Sequence, residues 1–314
     1  MTQLPDLARD ILERGVLCHL AAPSRSGPHL TPVVFALEGG RVWGTTGRGT
    51  TKARRWRRDG RAAGLVRAGD GWVSFRGPVT MYDLLDPATW ADSLRRVREV
   101  TAASARFTVK NARFFAGYAR DAARIPLAWT PPARVLFSID LEAGVMAEGD
   151  GVIERWGRWG RRIEGVPAYR GVRGSLPNGD LPEDVRALLS DRGEGTLSVE
   201  GRHGPVVLPA RWTRSEGTFL AVVPRRVLAL AAAPPRPRAA LVVEHASTWR
   251  AARMRGLLVR DEGEVFVPDE VTSGRRPLEA AVGDVGIPDP GVVRLRAASV
   301  VWWQGWASGT VGRS

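Results

Sequence analysis

The chain has 314 residues, of which 44% are apolar and 25% are charged, the composition of a globular protein long enough for two domains. Cys18 is the only cysteine, which excludes disulfide bonds within the chain and a cysteine-based metal cluster. No apolar run reaches the roughly 18 residues of a membrane-spanning helix, and the N-terminus lacks the basic and apolar regions of a secretory signal. We therefore expect a cytoplasmic protein with no membrane partner.

The formal net charge of +13 raises the question of nucleic-acid binding. Of the 46 basic residues, however, only Lys52 and Lys110 are lysines. Such an arginine excess is typical of GC-rich coding sequence and is spread along the chain, so nucleic acid is the least favoured of the partners considered. In a chain that avoids lysine, a lysine inside a phosphate-binding pattern is more informative than usual.

Short strands separated by closely spaced turns fill the first half of the chain, a pattern typical of all-β folds. In chain order the sequence predicts a helix at 7–14, strands at 16–22, 29–37 and 41–46, a helix at 50–59, strands at 62–67 and 72–81, a helical stretch from 86 to about 124, and a closing strand at 134–141. The turns Glu38-Gly39-Gly40 and Asp70-Gly71 join two of these strand pairs as hairpins.

The second half repeats the first, 177 positions further on. Leu4-Pro5 matches Leu181-Pro182, and Arg61-Ala62-Ala63 matches Arg238-Ala239-Ala240. The predicted strands of the second half lie at 196–200, 206–212, 218–223, 239–244, 249–259 and 292–303. We therefore predict two tandem β-barrel domains, at 1–148 and 181–314, joined by a linker at 149–180 that is rich in glycine and arginine.

The segment 27–59 carries the chemistry of the first domain: a strand, a tight turn, a second strand, a glycine-containing loop and a helix. Hydroxyl groups, flexible glycine backbone and positive charge meet at the junction of loop and helix, and these groups suit a phosphate. The residues concerned are Thr45, Thr46, Gly47, Thr50, Thr51, Lys52 and Arg54. The alternative interpretation is an amphipathic helix with a solvated basic face.

The repeat favours the phosphate site over that alternative. The positions that align with Thr51, Lys52 and Arg54 in the second half are Leu228, Ala229 and Ala231. Because the framework persists while the charged set is lost, the sequence predicts one working site and one degenerate site.

Residues 5–83 resemble the pyridoxamine-phosphate-oxidase-like split β-barrel family, in particular its flavin and deazaflavin oxidoreductases. The most specific part is Thr-Lys-Ala-Arg at 51–54 followed by Arg-Arg-Asp at 57–59, and the stretch WVSFRGPVTMYD at 72–83 is similar to the strand that follows in the family. The resemblance implies a mainly β fold with helices, built here as two tandem split barrels that form a pseudo-dimer within one chain and that could dimerise again.

The resemblance also implies a cofactor and its ligands. Family members bind FMN, the deazaflavin F420 or, in some cases, haem, with Lys, Arg, Ser and Thr side chains on the phosphate. Carried over, Lys52, Thr51, Thr50 and Arg54 hold the phosphate, Thr45, Thr46 and Gly47 line the approach, and Thr31, Pro32 and Val33 present backbone to the ring. F420 is slightly favoured over FMN, because a basic groove suits its acidic tail.

Two functions follow from this interpretation. The first is an oxidoreductase that transfers a hydride between the cofactor and an organic small-molecule substrate; the second is a non-enzymatic protein that carries or senses the cofactor or haem. No residue is singled out as catalytic, and no histidine has metal-ligand spacing, so no metal site is predicted. Trp302, Trp303 and Trp306 are interpreted as interface residues rather than as ring-stacking residues.

Overall fold

A computed structural model describes residues 4–24, 27–83, 85–127, 130, 133–149, 151–157, 181–201, 204–215, 218–247, 250–268, 282–283, 285–297 and 299–312. The chain divides into two compact units. The first comprises 1–23, 32–159 and 247–252, and the second comprises 24–31, 160–246 and 253–314. In the described part of the chain, no helix is long and apolar enough to cross a membrane.

Eight strands and two short helices build the framework of the first unit. The elements are α1 (Asp6–Arg14), β1 (Leu17–Ala22), β2 (His29–Glu38), β3 (Arg41–Gly47), α2 (Thr51–Trp56), β4 (Arg61–Ala68), β5 (Gly71–Tyr82), β6 (Arg134–Asp140), β7 (Ala143–Glu148) and β8 (Gly151–Trp156). Apolar residues of α1, among them Ile11 and Leu12, join the barrel core. The amphipathic pattern of α1 is thus explained by the end of the barrel that it covers.

The strands of the first unit close into a six-stranded barrel. The sheet runs in the order β4-β1-β2-β3-β6-β5, and a further pairing of β4 with β5 closes it, while β7 and β8 extend it from β5. Strand β5 belongs both to the barrel and to its extension because it changes partner along its length. It pairs with β7 at 71–76 and with β6 at 79–82. Gly77 lies at this change of partner, where a side chain would collide with the backbone of Asp140.

Three helices between β5 and β6 form an insert in the first unit: α3 (Trp90–Arg95), α4 (Val97–Lys110) and α5 (Ala112–Arg120), with a 3₁₀ turn at each end. Ala103 of α4 packs on Trp43 and Tyr82, whose rings stack at 5.3 Å. At the α4–α5 junction, the side-chain amide of Asn111 donates to the Phe35 backbone oxygen at 3.1 Å. The insert is therefore fastened to the outside of the barrel by apolar packing and by hydrogen bonds.

The second unit contains a nine-stranded sheet. Its elements are α6 (Glu183–Arg186), β9 (Arg192–Gly201), β10 (Gly204–Ser215), β11 (Thr218–Pro224), α7 (Arg225–Leu228), β12 (Arg238–His245), β13 (Arg255–Glu262), β14 (Glu264–Phe266), β15 (Pro290–Leu295), β16 (Ser299–Gln304) and β17 (Ala307–Gly312). The order is β14-β15-β11-β10-β9-β12-β13-β16-β17, with no closing pair among the described strands.

The two sheets share one neighbour order. If β12, β9, β10, β11 and β15 are set against β4, β1, β2, β3 and β6, the five strands follow one another in the same order, and β13-β16-β17 corresponds to β5-β7-β8. Strand β15 differs in pairing with β14 where β6 pairs with β5. Strands β3 and β11 begin and end 177 positions apart, as do β4 and β12. This correspondence supports the proposed duplication, whereas the pseudo-dimer stays a prediction.

Glycines opposite aromatic rings recur between paired strands. Gly44 faces Phe137, Gly64 faces Phe75, Gly144 faces Trp156, Gly193 faces Trp212, Gly256 faces Trp303 and Gly309 faces Trp302. In most of these pairs the ring occupies the space that a Cβ would need, at 2.1–2.8 Å. In such pairs the glycine allows the strand to curve strongly, and the aromatic ring shields the glycine backbone from solvent. Trp302 and Trp303 therefore cover neighbouring glycines, a packing role that the sequence did not indicate.

Three sequence-based boundaries differ from the structure. Residues 151–156, assigned to the linker, form β8, while the rest of the linker from 158 to 180 lies outside the described residues. The strand predicted at 249–259 begins only at Arg255, after a 3₁₀ turn at Ala251–Arg253. The strand predicted at 292–303 is two strands, because Ala297 has a φ of 60° that no strand accommodates.

Replacing Gly77 by alanine should lower the free energy of unfolding by about 3 kcal/mol, because the added Cβ would lie 1.7 Å from the Asp140 backbone oxygen. Urea unfolding followed by circular dichroism measures the change. Gly49→Ala is the matched control, since a Cβ there meets nothing within 4 Å. Equal stability of the two variants would show that β5 does not bend tightly at Gly77.

Candidate functional site

The loop between β3 and α2 is organised by Thr50. Its hydroxyl donates to the Gly47 backbone oxygen at 2.8 Å and accepts from the Ala53 amide at 3.3 Å, as an N-cap residue does. The Thr46 hydroxyl lies 3.1 Å from the Thr50 hydroxyl and occupies its remaining hydrogen-bonding position. Since its one proton is already donated, the Thr50 hydroxyl caps α2 and has no donor left for a ligand.

Lys52 lies on the inner face of α2 and is only 3% exposed. Trp56, one turn later on the same face, belongs to the barrel core and packs on Phe137 at 4.8 Å. The Lys52 Nζ lies 5.7 Å from the centroid of the Trp56 ring. The rare lysine therefore points into the end of the barrel rather than into solvent.

Burial lowers the pKa of Lys52 to about 7. Cys18 is near enough to interact with it, but burial raises the pKa of the Cys18 thiol and keeps it neutral, so Cys18 supplies no counter-ion. No carboxylate of the described residues contributes to the pKa of Lys52, and the nearby charge of Arg134 lowers it further. Lys52 is thus a buried amine without an anion and beside a second cation.

Arg134, the first residue of β6, is the cation that the sequence analysis missed. Its Nε donates to the Thr45 hydroxyl and its Nη2 to the Thr45 backbone oxygen, each at 3.0 Å. Burial lowers the pKa of Arg134. The only available signal was its place at the start of the closing strand, because β6 pairs with β3 and brings residue 134 opposite Gly47.

Trp56 offers a further hydrogen-bond donor in this part of the barrel. The Nε1 atom of Trp56 is buried and has no hydrogen-bond partner in the described residues. An unsatisfied N–H costs free energy unless a ligand or a water accepts from it. The buried amine of Lys52 and the unpaired N–H of Trp56 lie on one face of α2, and the guanidinium of Arg134 is near enough to lower the pKa of that amine; an anion would stabilise each of these groups.

Asp83, at the end of β5, holds the loop in place. Its carboxylate, 1% exposed, forms ion pairs with Arg48 at 2.8 Å and with Arg57 at 2.9 Å. Burial opposes ionisation of Asp83, but hydrogen bonds and charge from the two arginines outweigh it and lower its pKa. Arg48 and Arg57, which flank α2, therefore have a structural role.

The remaining residues that the sequence predicted for the site lie on α2, β3 and β2. Arg54 is exposed on the outer face of α2, away from Lys52, and Thr51 is half-buried in the first turn. Gly47 ends β3, while Thr31, Pro32 and Val33 are half-buried residues of β2. The structure joins Thr46, Gly47 and Thr50 by hydrogen bonds, and it joins Thr45 to Arg134. In the described residues, no group of three or more His, Cys, Asp and Glu side chains could hold a metal ion.

No family model and no curated protein matches the chain. Three solved structures align with slightly less than half of it. A putative pyridoxamine 5'-phosphate oxidase from Listeria innocua is 15% identical, covers 44% of this chain and 94% of its own, and has a TM-score of 0.29. An F420 reductase is 21% identical, covers 45% and 98%, and has a TM-score of 0.30. A FAD-binding protein from Mesorhizobium loti is 18% identical, covers 46% and 95%, and also has a TM-score of 0.30.

The fold implied by the sequence resemblance is confirmed. The first unit is a closed barrel of six strands, and the second is a curled sheet with the same strand order. The chain therefore has a mainly β fold with two barrel-like units. Its cofactor and its activity do not follow from this fold.

Replacing Asp83 by asparagine should destabilise the protein by about 3 kcal/mol at pH 7, because two arginines lose a buried partner. The pKa of Asp83 in the folded state is below its ordinary 3.8, so the stabilisation is present above that value and is lost as the pH falls through the lowered pKa. Urea unfolding of both proteins from pH 7 down to about pH 3 should show the difference shrinking.

Asp59→Asn is the control for this prediction, since Asp59 pairs with Arg61 near the surface and its loss should cost less than about 1 kcal/mol. A destabilisation by Asp83→Asn that does not change with pH would mean that the two ion pairs contribute nothing through charge.

Proposed function

We propose that the first unit binds the phosphate of a flavin or deazaflavin cofactor at Lys52 and Arg134, and that the protein is an oxidoreductase acting on an organic small molecule. One observation carries the proposal: Lys52 is buried, the charge of Arg134 acts on it, and no carboxylate of the described residues contributes to its pKa. Burying an uncompensated ammonium is costly, and a bound anion removes that cost.

The residues present fit the phosphate end of such a cofactor. Lys52 would supply an ammonium donor, Arg134 a planar guanidinium and Trp56 its unpaired N–H. Arg134 is oriented for this task by its two bonds to Thr45. In this proposal Arg134 takes the place that the sequence gave to Arg54, and Thr50 shapes the loop instead of binding.

A flavin or deazaflavin supplies hydride transfer when bound, so the protein needs to contribute orientation and charge rather than an acid–base pair. The sequence resemblance of 5–83 favours F420 or FMN, with F420 slightly preferred. The half-buried backbone of Thr31, Pro32 and Val33 remains the proposed contact for the ring.

Lys52→Ala should weaken the binding of F420 and FMN by about 10- to 100-fold, because a hydrogen bond to a charged group contributes about 1.5–3 kcal/mol. Fluorescence titration with each cofactor measures the dissociation constant. Arg225→Ala, at the position in the second unit that corresponds to Arg48, should leave binding unchanged. Equal losses in the two variants would contradict a single site in the first unit.

The affinity should also depend on pH. The free protein has a Lys52 pKa of about 7, and only the protonated amine attracts phosphate, so the affinity should fall as the pH rises above 7, approaching about tenfold per pH unit. Titrations of the wild type and of Lys52→Arg separate this effect from the titration of the cofactor, because arginine stays charged. A constant ratio of the two dissociation constants between pH 6 and pH 9 would exclude Lys52 as the titrating group.

The alternative function, a carrier or sensor of the same cofactor or of haem, uses the same phosphate or propionate site. Absorbance of the purified protein distinguishes flavin, deazaflavin and haem. Turnover with reduced F420 or NAD(P)H and quinone-like or tetrapyrrole acceptors separates an enzyme from a carrier. Tight binding without turnover would replace the oxidoreductase by the carrier.

A further inference from the structure

Exposed apolar side chains line the insert where α3 passes into α4. Leu94 is 75% exposed, Val97 is 55% exposed and Trp90 is 50% exposed. Trp90 and Leu94 are four residues apart on α3 and share one face of that helix, and Val97 begins the next helix. Leu85, just before the insert helices, is 72% exposed as well. Large apolar side chains clustered on a surface mark a site of interaction.

The same segment carries an excess of positive charge. Between Trp90 and Lys110 there are two acidic residues, and each is already paired with an arginine, Asp92 with Arg95 and Glu99 with Arg41. Arg98 and Arg106 are exposed on α4 and form no ion pair with the described residues. The exposed part of α3 and α4 thus combines tryptophan, leucine and valine with Arg98, which follows Val97 directly, and with Arg106, which lies on the opposite flank of α4 from Val97.

We infer that this face of the insert binds the surface of a membrane that contains anionic lipids. A helix that lies in the interface buries its apolar side chains at the acyl boundary while its arginines reach the headgroups, and tryptophan favours the same depth. Neither set of residues alone selects this partner; the combination of apolar side chains with unpaired cations does. The expectation of no membrane partner rested on the lack of a spanning segment, and surface binding requires no such segment.

A second copy of the chain fits this surface less well. In a symmetric dimer the same patch faces itself, so the exposed arginines of one copy would meet those of the other. Nucleic acid would use the arginines, but it would leave Leu94 and Val97 without an apolar environment. An anionic bilayer satisfies both sets of side chains, and this is why we choose it.

The test is co-sedimentation of the full chain with vesicles of phosphatidylcholine alone and with vesicles that also contain phosphatidylglycerol. We expect binding to the anionic vesicles that weakens as salt is added, and at least about tenfold weaker binding to the neutral ones. The double variants Trp90→Ser/Leu94→Ser and Arg98→Gln/Arg106→Gln should each lower the affinity for anionic vesicles at least about tenfold.

Ile153→Ser is the matched control, because Ile153 is 50% exposed on β8, outside the insert. Its binding should equal that of the wild type, and circular dichroism verifies that all variants are folded. Binding unaffected by either double variant would overturn the inference, as would no binding to anionic vesicles. A dimer in light scattering that Trp90→Ser/Leu94→Ser dissociates would assign the patch to a second copy instead. Cofactor affinity, measured on the same variants, should stay unchanged, which keeps this test independent of the proposed function.

Discussion

A buried ammonium group is the feature on which the functional interpretation depends. Lys52 is held inside the end of the barrel by the helix that carries it, and the neutral Cys18 thiol cannot compensate its charge. Such a group is stable only if it loses its proton or gains an anion. A pKa of about 7 means that the neutral and the protonated amine are both populated near neutral pH.

The framework around Lys52 consists of ordinary structural interactions. Thr50 caps the helix, while Asp83 binds the arginines on either side of it and so fixes the loop to the end of β5. Because these contacts use up the groups that make them, fewer side chains are left for a ligand than the sequence indicates. Arg48 and Arg57 of this segment thus brace the loop, while Arg54 is exposed and lies away from Lys52.

Local patterns predicted most of the strands, but not β7, β8, β14 and β17, and not the partners across the sheet. Strands such as β3 and β4 were located to within a residue or two, because turn glycines and alternating apolar residues mark their ends. Arg134 was missed because it is 82 positions from Lys52, and only the pairing of β6 with β3 brings the two together. The glycine–aromatic pairs were missed for the same reason, since each joins residues whose register no local pattern shows.

A comparison with the second unit indicates the energetic cost of a buried lysine at this position. Strand β11 matches β3 in position, yet the residues that align with the phosphate set are Leu228 and Ala231, which are buried, and Ala229, which is half-buried. Filling that corner with alanine and leucine removes the desolvation penalty of an ammonium and favours the fold. A charged Lys52 in the first unit therefore works against stability unless an anion accompanies it. The proposed duplication, in which one copy gives up the charge and the other retains it, agrees with the proposed single anion site.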